Sequence, residues 1–181
     1  MFIACLQRHL AVCALAELPA FTKRDQKFWN VISLLGPQSP SPTKVNFRDH
    51  YRAHFDDVCA APSTNAESGG VVVSSPTMRG VLKFVDDRPG QPILVHCVAG
   101  ISRSPAAVLV LLLRGLIAAG DAMPVQTSME TLLTIRPQAR PNPLVLQTGL
   151  ECFLSASEAK RLAERAMEFL RASGSTASES D

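Results

Sequence analysis

Short apolar runs and longer stretches with helical spacing alternate along the chain. Leu10-Ala11-Val12-Cys13-Ala14-Leu15 is continuously apolar and predicts a first strand. Phe28 to Leu35 predicts a second, ended by Gly36-Pro37 and a Ser/Pro loop through Pro42. Lys44 to Arg48 predicts a third, shorter one. Residues 59–70 are small and polar, close on Gly69-Gly70, and read as a loop or flap. From Ser75-Pro76 to Asp86, Met78, Val81, Leu82 and Val85 keep a helical stripe. Asp87-Arg88-Pro89-Gly90 then turns the chain into Gln91-Pro92-Ile93-Leu94-Val95, a buried strand.

Helices follow over 103–119, with Pro105 in the first turn, and over 124–135. Asn142-Pro143 has the chemistry of an N-cap followed by proline, which opens a helix over 144–153. A last helix is expected over 157–170, before a Ser-rich, aromatic-free tail. The alternation predicts an α/β fold, a mainly parallel sheet flanked by helices. The organisation expected is a leader over 1–9, one domain over 10–171 and a disordered tail over 172–181.

Composition narrows the class. The chain has 181 residues, 46% hydrophobic and 19% charged, with a net charge of +2. One well-buried domain fits that length. The balance is too weakly basic for nucleic acid or an anionic membrane to be the main partner. Gln7-Arg8-His9 interrupts the apolar start too early for an export signal, and no run reaches the ~20 residues of a membrane span. Five cysteines without regular spacing give no disulfide framework, so a reducing cytoplasm is the expected home. His50 and His54 lie beside acidic residues but lack a third ligand at a recognisable spacing, so no metal is expected.

The chemistry concentrates in His96-Cys97-Val98-Ala99-Gly100-Ile101-Ser102-Arg103. A strand before it and a helix after it bring backbone N–H groups and the positive end of a helix dipole onto Cys97. Such surroundings lower a thiol from a pKa of about 8.5 into the range of roughly 3.5–7.5 and make it a nucleophile. The same donors, from Val98, Ala99, Gly100, Ile101, Ser102 and Arg103, suit the oxygens of a phosphoryl group. Arg103 adds a planar fork that lysine does not copy. Ala99 and Gly100 permit the tight backbone this requires. Ser104 is positioned to donate to the sulfur, and His96 to orient the loop through backbone hydrogen bonds.

This motif, continuing as Ser104-Pro105-Ala106-Ala107, resembles the signature of the cysteine-dependent protein tyrosine phosphatases, in the compact style of the dual-specificity enzymes and their bacterial relatives. Val31-Ile32-Ser33-Leu34, Phe55-Asp56-Asp57-Val58 and the stretch from Arg136 to Asn142 are also similar to segments of that family, so the likeness spans roughly residues 10–155. The resemblance implies a hydrolase of phosphate monoesters that needs no cofactor. Its substrate would be a phosphorylated protein or a small phosphate ester, with Cys97, Arg103, Ser104 and an aspartate as catalytic groups. That aspartate is Asp57, with Asp56 as the alternative and Asp49 a distant third. Asn142 would approach the active loop while capping its helix. A silent module that binds phosphorylated residues, and a phosphatase of non-protein esters, are the rival readings.

Overall fold

The computed structural model describes residues 1–40, 42, 45–59 and 70–175. Among them are five strands: β1 (Phe2–Ile3), β2 (Arg8–Ala14), β3 (Asn30–Leu35), β4 (Asp49–His54) and β5 (Ile93–Cys97). The sheet runs β1-β2-β5-β3-β4. β1 pairs antiparallel with β2 at one edge, and every other pairing is parallel. Six α-helices accompany it: α1 (Leu18–Arg24), α2 (Ser75–Asp86), α3 (Arg103–Ala118), α4 (Pro124–Ile135), α5 (Pro143–Leu150) and α6 (Ala156–Ser175). The sheet is therefore mainly parallel and flanked by helices, as its sequence pattern predicts.

Strand alternation separates two cores. Leu10, Val12, Ile32, Leu34, Ile93 and Val95 face the large core with α2 to α6. Ala11, Cys13, Val31 and Leu94 face a smaller one closed by Leu18, Trp29, Phe21, Val45 and Phe47. α3 is apolar nearly all round and buried from Arg103 to Leu113, as a helix enclosed by other elements must be. Gly149 of α5 lets that helix approach closely, since a Cβ there would stand 3.0 Å from Met78 and closer still to Val110.

Several expectations shift. The third strand lies at Asp49–His54, beyond the predicted 44–48. β4 is an edge strand whose only buried residue is Ala53, so polar residues suffice to build it. The apolar signal in the predicted stretch, Val45 and Phe47, packs onto the smaller core without joining the sheet. Residues 1–9, read as a leader, supply β1, a short 3-10 turn over Ala4–Leu6 and the start of β2. α6 continues to Ser175, into the stretch read as tail. The rest of that tail, and the 59–70 loop apart from Cys59 and Gly70, lie outside the described residues. No helix among the described residues is long and apolar enough to cross a membrane.

Candidate active site

β5 is the middle strand, and the chain order on its two sides diverges there, with β2 on one flank and β3 on the other. In parallel sheets such a switch point leaves a crevice beyond the carboxyl ends of the strands. Cys97 ends β5 at that crevice, in register with Ala14 of β2, and Arg103 begins α3.

The loop between them is held by its carbonyls. Val98 O accepts from Leu15 N (3.1 Å), Ile101 O from Arg140 N (2.7 Å) and Ser102 O from Asn142 N (3.2 Å). Arg136 donates from Nη2 to Ala99 O (3.3 Å) and from Nε to Gly100 O (3.1 Å). All these acceptors face outward. The peptides are planar and trans, so the N–H groups of Ala99 to Arg103 turn the opposite way, into a bowl. Gly100 is needed twice over. Its φ is +68°, and a Cβ would stand 2.6 Å from Ala14 N and Cys13 C.

The Cys97 sulfur lies at the base of the bowl, 1% exposed by residue. It accepts from Gly100 N and from Ser104 Oγ, both at 3.2 Å. Arg103 is buried and donates from Nη1 to Phe55 O (2.8 Å), which fixes its guanidinium beside the loop. Its Nε makes no hydrogen bond in the described structure and stands 3.8 Å from Asp57 Oδ2. Ser102, at the N-cap of α3, makes no side-chain cap bond, and its hydroxyl donates to Asp57 Oδ1 (2.6 Å). The first N–H groups of α3 thus remain directed at the bowl.

The structure separates the three aspartates. Asp57 meets the loop, with Oδ1 accepting from Ser102 Oγ and from Asn142 Nδ2 (2.7 Å). Asp56 points elsewhere and clamps Val71, donating N–H to its carbonyl (2.7 Å) and accepting its N–H on Oδ2 (2.8 Å). Asp49 begins β4, level with Asn30 and so with Ile93, four residues short of Cys97 along the sheet, or about 13 Å. There it is ion-paired to Arg88.

Asn142 joins three parts of the site. Its Oδ1 accepts from Leu144 N and Val145 N (3.0 Å each) as the N-cap of α5. Its Nδ2 reaches Asp57 and Val58 O (3.1 Å), and its backbone N–H holds the loop. The His96 ring bonds through Nε2 to Ser33 Oγ (2.5 Å). Burial drives His96 and His50 down to about 4, so both rings are neutral near pH 7. Burial, aided by Glu17, pushes the neighbouring Cys13 thiol up to about 12 and keeps it protonated.

Sequence reading gave no role to Glu17, Ser33 or Arg136. Glu17 accepts from Ala14 N (2.7 Å) and from Arg136 Nη1 (2.8 Å), anchoring the arginine that grips the loop. Burial opposes the Glu17 charge, but the Ala14 N–H and the guanidinium outweigh it, and its carboxyl falls below the usual range. These partners are 119 residues apart in sequence, and no local pattern marks them. Among the described residues no group of three or more His, Cys, Asp and Glu could hold a metal ion.

No protein-family model and no curated protein matches the chain. Solved structures do. Human DUSP28 is 20% identical, with 91% of this chain and 94% of that chain covered and a TM-score of 0.50. DUSP15 is 21% identical over 88% and 93%, with a TM-score of 0.51. The human tyrosine phosphatase-like serine/threonine/tyrosine-interacting protein is 16% identical over 78% and 89%, with a TM-score of 0.54. The chain therefore has the compact, dual-specificity-like fold of the cysteine-dependent phosphatase superfamily.

Proposed function

We propose that this protein hydrolyses phosphate monoesters through a cysteinyl-phosphate intermediate, acting on phosphotyrosine or, with dual specificity, also on phosphoserine and phosphothreonine in proteins. The Cys97 thiolate attacks phosphorus and forms an S–P bond as the ester P–O bond breaks. Asp57 gives its proton to the departing oxygen. Water then attacks the phosphorus, Asp57 takes the proton, and the S–P bond breaks to release inorganic phosphate and the thiolate. The inward amides and Arg103 hold the three non-bridging oxygens as charge builds on them, without having to reorganise. Ser104 donates to the sulfur and makes it a better leaving group in the second step.

One observation carries this reading. Cys97 Sγ accepts from Gly100 N and Ser104 Oγ inside a loop whose carbonyls are all tied outward. The Nε of the buried Arg103 makes no hydrogen bond, though Asp57 Oδ2 stands 3.8 Å away, and this supports it as a donor for an anion. The five cysteines are all unpaired, in keeping with a cytoplasmic enzyme whose thiolate stays reduced. The test is hydrolysis of para-nitrophenyl phosphate and of a phosphopeptide panel by wild type and Cys97→Ser. Loss of turnover with retained oxyanion binding is expected of the variant.

A second reading has its own support. Asp57 is bound by Ser102 and Asn142, an arrangement that also suits a strut in a module that binds phosphorylated residues without turnover. Slow hydrolysis unchanged by Asp57→Ala would favour that module.

A further inference from the structure

A groove of about 500 Å³ lies between α5 and α6, a size that accepts a few side chains of a peptide. Its walls include Pro143 and Leu144 of α5, Ala163, Met167 and Arg171 of α6, and Cys59, two residues beyond Asp57. The hydrolysis scheme uses none of them.

Two observations join the groove to the candidate site. Asn142 Nδ2 stands 2.7 Å from Asp57 Oδ1 and 3.8 Å from Cys59 Sγ, so a single amide parts the aspartate from the groove wall. α5 and α6 pack together across a short turn over 151–155, and helices joined in this way run antiparallel. α6 has 20 residues against 8 in α5, so its later turns, which carry Met167 and Arg171, run past Asn142 at the start of α5.

The lining sets what fits. Pro143, Leu144, Ala163 and Met167 make it mainly apolar. Glu164, on the same wall, is paired with Lys160 (3.9 Å). The exposed Arg171 guanidinium makes no ion pair or hydrogen bond among the described residues. The groove thus offers an apolar bed and one unmatched positive charge. An extended chain advances about 3.3 Å per residue, so residues two or three removed from a phosphorylated one reach it.

We propose that this groove is a specificity subsite for phosphoprotein substrates: it takes an apolar side chain flanking the phosphorylated residue, while Arg171 meets an acidic residue beside it. The subsite rests on the phosphatase reading and narrows its substrate class.

The test is kcat/KM on phosphopeptides in which each position within three residues of the phosphorylated one carries Ala, Leu, Glu or Lys in turn. Para-nitrophenyl phosphate, which has no flanking residues, serves as the reference. In wild type, Leu at one position should exceed Ala roughly tenfold, the scale of one buried apolar side chain. Glu at a neighbouring position should exceed Lys about threefold, the scale of an exposed ion pair. Met167→Glu should abolish the Leu preference, and Arg171→Glu should turn the Glu preference into one for Lys. Neither should change turnover of para-nitrophenyl phosphate. Flat panels in wild type, or preferences that survive both variants, would overturn the proposal. If Met167→Glu does not fold, Arg171→Glu, at an exposed position, decides it. A dimer in sedimentation that Met167→Glu dissolves, with no peptide preference, would give the groove to a second copy of the chain and overturn it too.

Turnover of para-nitrophenyl phosphate separates the two readings. Flat panels with that turnover intact remove the subsite and leave the phosphatase. In a protein without turnover the same panel is read as peptide binding by fluorescence anisotropy. Preferences that reverse in Arg171→Glu would then keep the groove while the phosphatase reading falls.

Discussion

Asn142 Nδ2 donates to Asp57 Oδ1 across 2.7 Å, and this contact ties the aspartate to the loop between Cys97 and Arg103 and to the start of α5 at once. Replacing Asn142 with Ala removes both the cap and the tether. Stability should fall by ~1 kcal/mol, the usual cost of a lost N-cap. Denaturant unfolding measures the stability, and kcat at fixed pH should fall as well because Asp57 loses a restraint.

The two adjacent aspartates should behave differently. Asp57→Asn should lower kcat by roughly 10²–10⁴, the usual worth of a general acid. It should also change the shape of the pH–rate profile. Asp56→Asn keeps an oxygen that accepts from Val71 N–H and should keep the shape of the profile. An unchanged rate in Asp57→Asn would remove that residue from the mechanism.

Ser104→Ala leaves the Cys97 sulfur without its hydroxyl donor. Attack on the ester should persist while breakdown of the thiophosphate slows, so rapid mixing with para-nitrophenyl phosphate should show a burst followed by a slower steady state. A proportional loss in both phases would assign Ser104 to loop structure alone.

Gly100→Ala tests the loop itself. The variant must hold a side chain at φ +68° with its Cβ against the backbone of Cys13 and Ala14. The left-handed conformation alone costs roughly 1–2 kcal/mol, and the close contact adds to it. Denaturant unfolding should show at least that loss, together with weaker vanadate or phosphate binding.

The buried histidines give stability a pH dependence of definite sign. His50 and His96 sit near 4 when folded, against 6.5 when exposed, so the unfolded chain binds more protons between those values. Stability is fully present above about 6.5 and is lost as pH falls through the folded value near 4. Unfolding measured from pH 7 to pH 4 should show this slope, and it should be shallower in His50→Gln.

What the sequence disclosed, and what it hid, follows from the range of the interactions. α2 and α4 match their predicted bounds because a single apolar stripe defines each. The strand, turn and helix around Cys97 were legible because they are contiguous from Ile93 to Ala118. β4 was displaced because an edge strand with one buried residue carries no apolar alternation. α1 went unassigned because seven residues opened by Pro19, with only Leu18 and Thr22 buried, carry little periodic signal. Glu17 meets Arg136, and Ser33 meets His50 and His96, only when distant strands and loops come together. Asp57 was separable from Asp56 only once the loop directed one toward Ser102 and the other toward Val71.

The covalent intermediate is the decisive observable. Asp57→Ala should still accept a phosphoryl group from a substrate with a good leaving group, such as para-nitrophenyl phosphate, but release it slowly. Acid-quenched protein, digested and mapped by mass spectrometry, should carry one phosphoryl group on the peptide containing Cys97 and none in Cys97→Ser. Turnover of the ester with no such adduct, and with Cys97→Ser as active as wild type, would contradict the account.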